Sequence, residues 1–101
     1  MVKLEIVKKT NQSLVNIILP ETGVISPEDL FSITLPDIVQ EGLSDKIIIL
    51  SGRAPVWLFG FLVHFFHPTK AVAVFDPRLN GAVVVATHSP VVKAGEVLKI
   101  E

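Results

Sequence analysis

Apolar and polar residues alternate at the start of the chain and later give way to unbroken apolar runs. Val2 to Val7 reads V-K-L-E-I-V, the period-2 pattern of a half-buried strand. Thr10 to Ser13 is polar and favours a turn. Leu14 to Leu19 is a second apolar segment. The short spacing predicts that these two strands pair as an antiparallel hairpin.

Four later segments predict strands. Lys46 to Leu50 is a lysine followed by branched apolar residues, and Ala71 to Phe75 is apolar throughout. Unbroken runs of this kind are typical of strands that are covered on both faces. Ala82 to Thr87 follows an Asn80-Gly81 turn, which favours an antiparallel return. Gly95 to Ile100 predicts a short last strand.

Two segments predict helices. Ser26 to Asp29 combines a capping serine, a proline at the first helical position and two acids, which predicts a helix from Pro27 to about Ile33. Pro55 to Phe66 is apolar around its whole circumference, and Pro68 closes it. A helix of that kind must be buried on all sides. We therefore expect a homodimer packed partly through this helix, with a core helix lying under a loop as the alternative.

The order of these segments predicts the fold class. A strand at 46–50, a helix and a strand at 71–75 fit within about 30 residues, the length of a right-handed βαβ crossover with parallel strands. The strand at 82–87 then returns antiparallel. We expect one α/β domain over residues 1–101 with a mixed sheet, close to a reduced Rossmann-type unit. A ferredoxin-like α+β arrangement is the alternative.

Composition narrows the classes of function. The 101 residues are 50% hydrophobic and 19% charged, which excludes intrinsic disorder. The net charge of −1 gives no general attraction to duplex DNA or to an anionic membrane. No cysteine is present, so disulfides and thiol catalysis are excluded. The longest apolar run is shorter than the roughly 20 residues of a spanning helix. With no signal-peptide pattern at its start, the chain is expected to be cytoplasmic.

Candidate ligand contacts follow the two predicted parallel strands. Ser51-Gly52-Arg53 lies between a strand and a helix start, where ligands of α/β sheets bind and where phosphate meets free N–H groups. Asp76-Pro77-Arg78 follows the second strand and so lies at the same edge. Two arginines at one edge favour an anionic ligand. A tight turn at each place, with a surface ion pair between Asp76 and Arg78, is the structural alternative.

Three histidines are the candidate proton-transfer groups. His67 ends the long helix and suits either a general acid or base or a helix C-terminal contact. His64 is one turn earlier and is expected to be structural or part of an interface. His88 follows the strand at 82–87, at the edge opposite Asp76, where it either lines a nucleotide site or ends a turn.

The segment from Lys46 to Pro90 resembles a known family. It contains S-G-R-A-P-V-W-L, then H-x-x-H, then A-V-A-V-F-D-P-R-L and A-T-H-S in this order. These motifs closely resemble a small family of accessory proteins in type III CRISPR systems, whose fold is described as related to the CRISPR-associated Rossmann fold or as ferredoxin-like. Members can carry a second histidine directly after the one that matches His67, where this chain has Pro68.

The resemblance implies a function and its residues. It implies a ring nuclease that degrades cyclic tetra-adenylate, or a manganese-dependent trimming of RNA 3′ ends, or binding of short RNA tetranucleotides without cleavage. It places His67, Asp76 and Arg78 on catalytic positions and Ser51-Gly52-Arg53 on a nucleotide-contacting loop. We expect His88 to contact substrate and Asp76 to bind manganese, or magnesium, that arrives with the substrate.

The predicted fold places two of these residues far apart. The crossover helix runs antiparallel to its strands, so His67 lies near the start of the strand at 71–75 and Asp76 lies at its end. Six strand residues span roughly 20 Å. His67 and Asp76 of one chain therefore cannot contact the same phosphate. We expect the ring to lie between two stacked dimers, in a tetramer or larger assembly, with Asp76 and Arg78 facing His67 across it.

Overall fold

The computed structural model describes residues 1–101 and contains six strands and one α-helix. The elements in chain order are β1 (Lys3–Lys8), β2 (Gln12–Ile18), a 3-10 helix (Pro27–Phe31), β3 (Ile47–Ser51), α1 (Val56–Phe65), β4 (Ala71–Asp76), β5 (Gly81–Thr87) and β6 (Val97–Leu98). The predicted strands are confirmed, with β6 shorter than expected. The first predicted helix is a five-residue 3-10 helix, because the β-branched Ile33 and Thr34 that follow it disfavour a longer helix.

All six strands form one mixed sheet in sequential order, β1-β2-β3-β4-β5-β6. The hairpin β1–β2 and the pair β4–β5 are antiparallel, and β3 and β4 are parallel neighbours joined by α1. The predicted α/β class with a central βαβ unit is thereby confirmed. β2 is also parallel to β3, a second crossover that the hydrophobic pattern did not predict.

Both crossovers lie on one face of the sheet. Residues 19–46 connect β2 to β3, and their apolar side chains pack against the same core cluster as Leu58 and Leu62 of α1. A doubly wound sheet forms its ligand crevice where successive crossovers leave on opposite faces. That crevice is not formed between β2 and β4. A different segment of the chain covers part of the second face of the sheet.

The C-terminal segment crosses that second face. Residues 99–101, which we call the strap, pass back over the sheet to the start of β2. The side chain of Gln12 donates to the Lys99 carbonyl at 2.9 Å and accepts from the Glu101 N–H at 3.0 Å. Ile100 packs with β6 and β4 on a second apolar cluster built around Ile49 and Ala73. The strap therefore covers part of a face that would otherwise be exposed.

Helix α1 is less buried than its composition predicts. Leu58, Leu62 and the adjoining Phe66 are fully buried against the sheet. Val56, Gly60 and His64 lie one turn apart and form an exposed line along the outside. Burial on all sides is thus not found within one chain, because a single sheet covers only one side of a helix. No helix in the structure has the length and apolar character that a membrane span requires.

Candidate functional site

The amino edge of the parallel strands brings two of the three histidines together. His67 follows α1, and His88 follows β5, whose end pairs with Ala71 at the start of β4. Nε2 of His88 lies 3.3 Å from Nδ1 of His67, and the two rings meet edge to face with centroids 4.4 Å apart. A hydrogen bond at this contact requires that one of the two nitrogens carry the proton and the other accept it. The pair can therefore hold and pass a single proton.

Main-chain bonds of the sheet hold this pair in place. The His88 N–H donates to the Lys70 carbonyl at 3.0 Å, and the Lys70 N–H donates to the Lys46 carbonyl at 3.2 Å. The His67 N–H donates to the His64 carbonyl at 3.1 Å, which closes the last turn after α1. His64 stacks on His67 at a centroid distance of 6.5 Å, too far for a hydrogen bond between the rings. Both rings of the pair are exposed to solvent.

The carboxyl edge carries Asp76 and Arg78. Oδ1 of Asp76 accepts the Arg78 N–H at 2.9 Å, and the Arg78 Nε lies 3.6 Å from the same oxygen. The turn and ion pair that formed the structural alternative are therefore both present. The Arg78 side chain is still 90% exposed, so its other guanidinium N–H groups face solvent. An anion at this edge would meet those free donors.

Gly52 at the same edge has a packing role. Its φ of 142° lies in the region that favours glycine. A Cβ added there would stand 2.9 Å from the main-chain oxygen of Ile17 in β2. The glycine thus lets the turn after β3 lie directly against β2. Ser51 is half-buried at the end of β3, and Arg53 is exposed just before α1 begins.

The structure separates the predicted site residues into two groups. Ser51, Gly52, Arg53, Asp76 and Arg78 lie at the carboxyl edge, whereas His67 and His88 lie at the amino edge. The six-residue strand β4 spans the distance between these edges, roughly 20 Å. The expectation that His67 and His88 lie opposite Asp76 is confirmed. His88 therefore stands with His67 and away from the other predicted substrate contacts.

Metal-ligating atoms occur at both edges but in small number. Asp76 has Oδ2 free of protein hydrogen-bond partners, and the paired imidazoles offer two nitrogens. No three histidine, aspartate or glutamate side chains gather as a ligand set. One carboxylate oxygen fits manganese or magnesium only where phosphate and water supply the remaining ligands. The residues present are compatible with an ion that is bound together with substrate.

One cavity was not predicted from the sequence. It has a volume of about 400 Å³ and is lined by Phe75, Asn80, Lys99 and Ile100. Two of these residues come from the end of β4 and the turn after it, and two come from the strap. Because these residues lie far apart along the chain, no local sequence pattern indicates the cavity. The strap is held on this face by hydrogen bonds of Gln12 with Lys99 and Glu101 and by the packing of Ile100.

Comparison with known proteins shows the family. A family described as "CRISPR-associated protein (Cas_csx3)" matches residues 18–99. The chain belongs to the Cas_csx3 family. A protein of Aquifex aeolicus (strain VF5) with the description "Uncharacterized protein" is 52% identical over 95 residues, which cover 94% of this chain and 86% of that protein.

The Cas_csx3 match covers both edges of the sheet. Residues 18–99 include the carboxyl-edge residues Ser51 to Arg53 and Asp76 to Arg78, and the amino-edge histidines His67 and His88. The resemblance stated from the motifs is therefore confirmed at the level of a CRISPR-associated family. The residues of β1 and most of β2 lie outside the match.

Proposed function

We propose that this Cas_csx3 protein is a ring nuclease that cleaves cyclic tetra-adenylate to short linear adenylates in type III CRISPR signalling. The observation that carries the proposal is the His67–His88 pair, a proton-transfer group within the family match whose rings face solvent. The alternatives are an RNA 3′ deadenylating exonuclease and a binder that leaves the ring intact. The first experiment below separates all three.

The proposed reaction needs little from the protein because the nucleophile belongs to the substrate. A ribose 2′-OH attacks the adjacent phosphorus, the bond to the 5′ oxygen breaks, and the product ends in a 2′,3′-cyclic phosphate. The His67–His88 pair accepts the proton of the 2′-OH or returns one to the leaving 5′ oxygen. The exposed guanidinium of Arg78 offsets charge that develops on the phosphate.

Asp76 has two proposed roles at the carboxyl edge. Its Oδ1 holds the turn that orients Arg78. Its Oδ2 is the protein atom that would hold manganese or magnesium bound with substrate. Such an ion would add positive charge at the phosphate and so stabilise the transition state.

If His67 and Asp76 both act on one phosphate, the separation of the two edges requires that they come from different chains. Roughly 20 Å of β4 lies between the histidine pair and Asp76. We propose that the chain forms a homodimer through the exposed line of α1 and that dimers stack head to tail on the ring. The carboxyl edge of one dimer then meets the amino edge of the next. A two-fold dimer also suits a ligand with four-fold symmetry.

The first experiment compares substrates. Purified protein is incubated with cyclic tetra-adenylate and with a linear RNA that has 3′ adenylates, with and without manganese. The proposal expects linear adenylates from the ring at a higher rate than nucleotide release from the RNA. Faster trimming of RNA would favour the exonuclease. Tight binding without any product would favour the intact binder.

The second experiment tests the assembly. His67→Ala and Asp76→Ala proteins, each inactive alone, are mixed under conditions in which mixed assemblies form. Stacking expects partial return of cleavage, because some interfaces combine an intact histidine edge with an intact Asp76 edge. A mixture that stays inactive although mixed assemblies are detected would exclude the stacked arrangement.

A further inference from the structure

We propose that the cavity lined by Phe75, Asn80, Lys99 and Ile100 is a subsite for an adenine base of the ligand. The volume of about 400 Å³ lies within the range of small-ligand sites, and its lining combines two apolar with two polar residues. The choice of adenine rests on the proposed function. The existence of a nucleobase site at this place rests on the cavity itself.

The lining contains two apolar side chains, Phe75 and Ile100. Phe75 is half-buried at the end of β4, and its ring belongs to the apolar cluster on the second face of the sheet. Ile100 packs on the same cluster from the strap. A planar base that packs against these side chains would remove apolar surface from water. Base stacking on an aromatic side chain is a sequence-tolerant source of affinity.

The side-chain amide of Asn80 can distinguish adenine from other bases by hydrogen bonding. The hydrogen bonds that hold the turn come from its main chain and from Asp76, so the Asn80 side-chain amide is not needed by the fold. A side-chain amide donates to N7 of adenine and accepts from its 6-amino group at the same time. Guanine and hypoxanthine carry an oxygen at position 6 and cannot satisfy the accepting half of that pair.

Lys99 places a positive charge at the rim of the cavity. Its main-chain carbonyl is fixed by Gln12 at 2.9 Å, and its side chain is exposed and forms no salt bridge with an acidic residue. A nucleotide phosphate outside the cavity would meet this ammonium group. Phe75 precedes Asp76 directly, and Ser51 follows Leu50, which pairs with Val74 on the neighbouring strand. The subsite thus adjoins the carboxyl-edge residues that the proposed reaction uses.

The backbone at Asn80 provides a matched variant. Its φ of 48° lies in the left-handed region, which glycine adopts without strain. Asn80→Gly therefore removes the amide and keeps the turn. Lys93 is an exposed lysine in the same C-terminal region that does not line the cavity. Lys93→Ala removes the same charge as Lys99→Ala at a distance from the proposed subsite.

The experiment titrates the isotope-labelled full chain with adenosine, inosine and guanosine 5′-monophosphates and follows main-chain amide signals by NMR. We expect adenosine monophosphate to shift the signals of Phe75, Asn80, Lys99 and Ile100 and to bind more tightly than the other two. Asn80→Gly should weaken adenosine monophosphate binding roughly tenfold and remove the preference over inosine monophosphate. Phe75→Leu should weaken all three nucleotides, and Lys99→Ala should weaken them more than Lys93→Ala does.

The outcomes separate this proposal from the proposed reaction. Shifts confined to other residues, or an unchanged preference in Asn80→Gly, would overturn the adenine subsite even if the ring is cleaved. Binding of adenosine monophosphate in the cavity without any ring cleavage would support the subsite and count against the nuclease. Equal binding of all three nucleotides would show that the cavity does not read the base.

Discussion

At the amino edge of the sheet the rings of His67 and His88 already meet at 3.3 Å, whereas at the carboxyl edge the Arg78 side chain is 90% exposed. The first group is assembled by the folding of one chain, since a helix end and a strand end converge there. The second group has its main chain fixed by Asp76 and its charged ends free. The amino edge is therefore preorganised, and the carboxyl edge needs a ligand to order its side chains.

The largest expected effect concerns the preorganised edge. His88→Ala removes the partner of His67 and should lower the rate of ring cleavage about 100-fold, the range of one general acid–base group. Lys93→Ala is the control, because Lys93 is exposed and belongs neither to the proposed site nor to the exposed line of α1. It should change the rate little. If His88→Ala cleaves the ring as fast as the control variant does, the contact of His67 with His88 does not take part in the reaction.

A second prediction concerns the main chain of the carboxyl edge. Gly52→Ala forces a side chain onto a φ of 142° and places its Cβ 2.9 Å from the Ile17 oxygen. It should lower the free energy of unfolding by about 2 kcal/mol. Within one chain, Gly60→Ala on the outer side of α1 meets no atom within 4 Å, and the better helix propensity of alanine should raise the free energy of unfolding of the monomer by about 0.5–1 kcal/mol. Urea unfolding of both variants measures the difference.

The opposite signs of these two changes make the test specific. Both add one methyl group to the chain, and both replace a glycine. If Gly52→Ala is as stable as the wild-type protein, the turn after β3 is not fixed against β2. The carboxyl edge would then be adaptable in its main chain as well as in its side chains.

Local patterns predicted the strands and the pairing of neighbours in sequence. Lys46 to Leu50 and Ala71 to Phe75 were recognised because burial on both faces demands unbroken apolar runs. The strand order then followed for β3, β4 and β5, and with it the opposite placement of His67 and Asp76. These predictions depended only on the short distance along the chain between the strands and on the geometry of a βαβ unit.

Contacts between distant parts of the chain were not predictable in the same way. The parallel pairing of β2 with β3 depends on residues 19–46, which carry no helical pattern long enough to indicate a crossover. The contact of His67 with His88 requires the register of β5 against β4. The cavity depends on the strap, which is held by the side chain of Gln12. A single polar residue on a strand does not indicate which distant segment it binds.

The smallest expected effect concerns the end of the strap at the amino edge. The Asn11 N–H donates to Oε1 of Glu101 at 2.9 Å, and this hydrogen bond holds the pKa of the Glu101 carboxyl below its usual value of 4.5. A carboxyl whose pKa is lowered by folding stabilises the folded state above its unfolded pKa, and that contribution is lost as the pH falls through the folded pKa. The strap should therefore be anchored at neutral pH and loosen in acid.

Glu101→Gln tests this anchor. At pH 7 the variant should melt at a slightly lower temperature than the wild-type protein, because the amide oxygen is a weaker acceptor than the carboxylate. The difference should shrink as the pH is lowered through 4.5 and below, since the wild-type carboxyl then becomes protonated. Glu21→Gln, on an exposed turn, is the control and should show no such convergence. A difference between wild type and Glu101→Gln that is constant from pH 7 to acid would mean that charge does not hold the strap. The hydrogen bonds of Gln12 and the contact of His67 with His88 would then keep the amino edge ordered. Acid would leave the cavity beneath the strap intact.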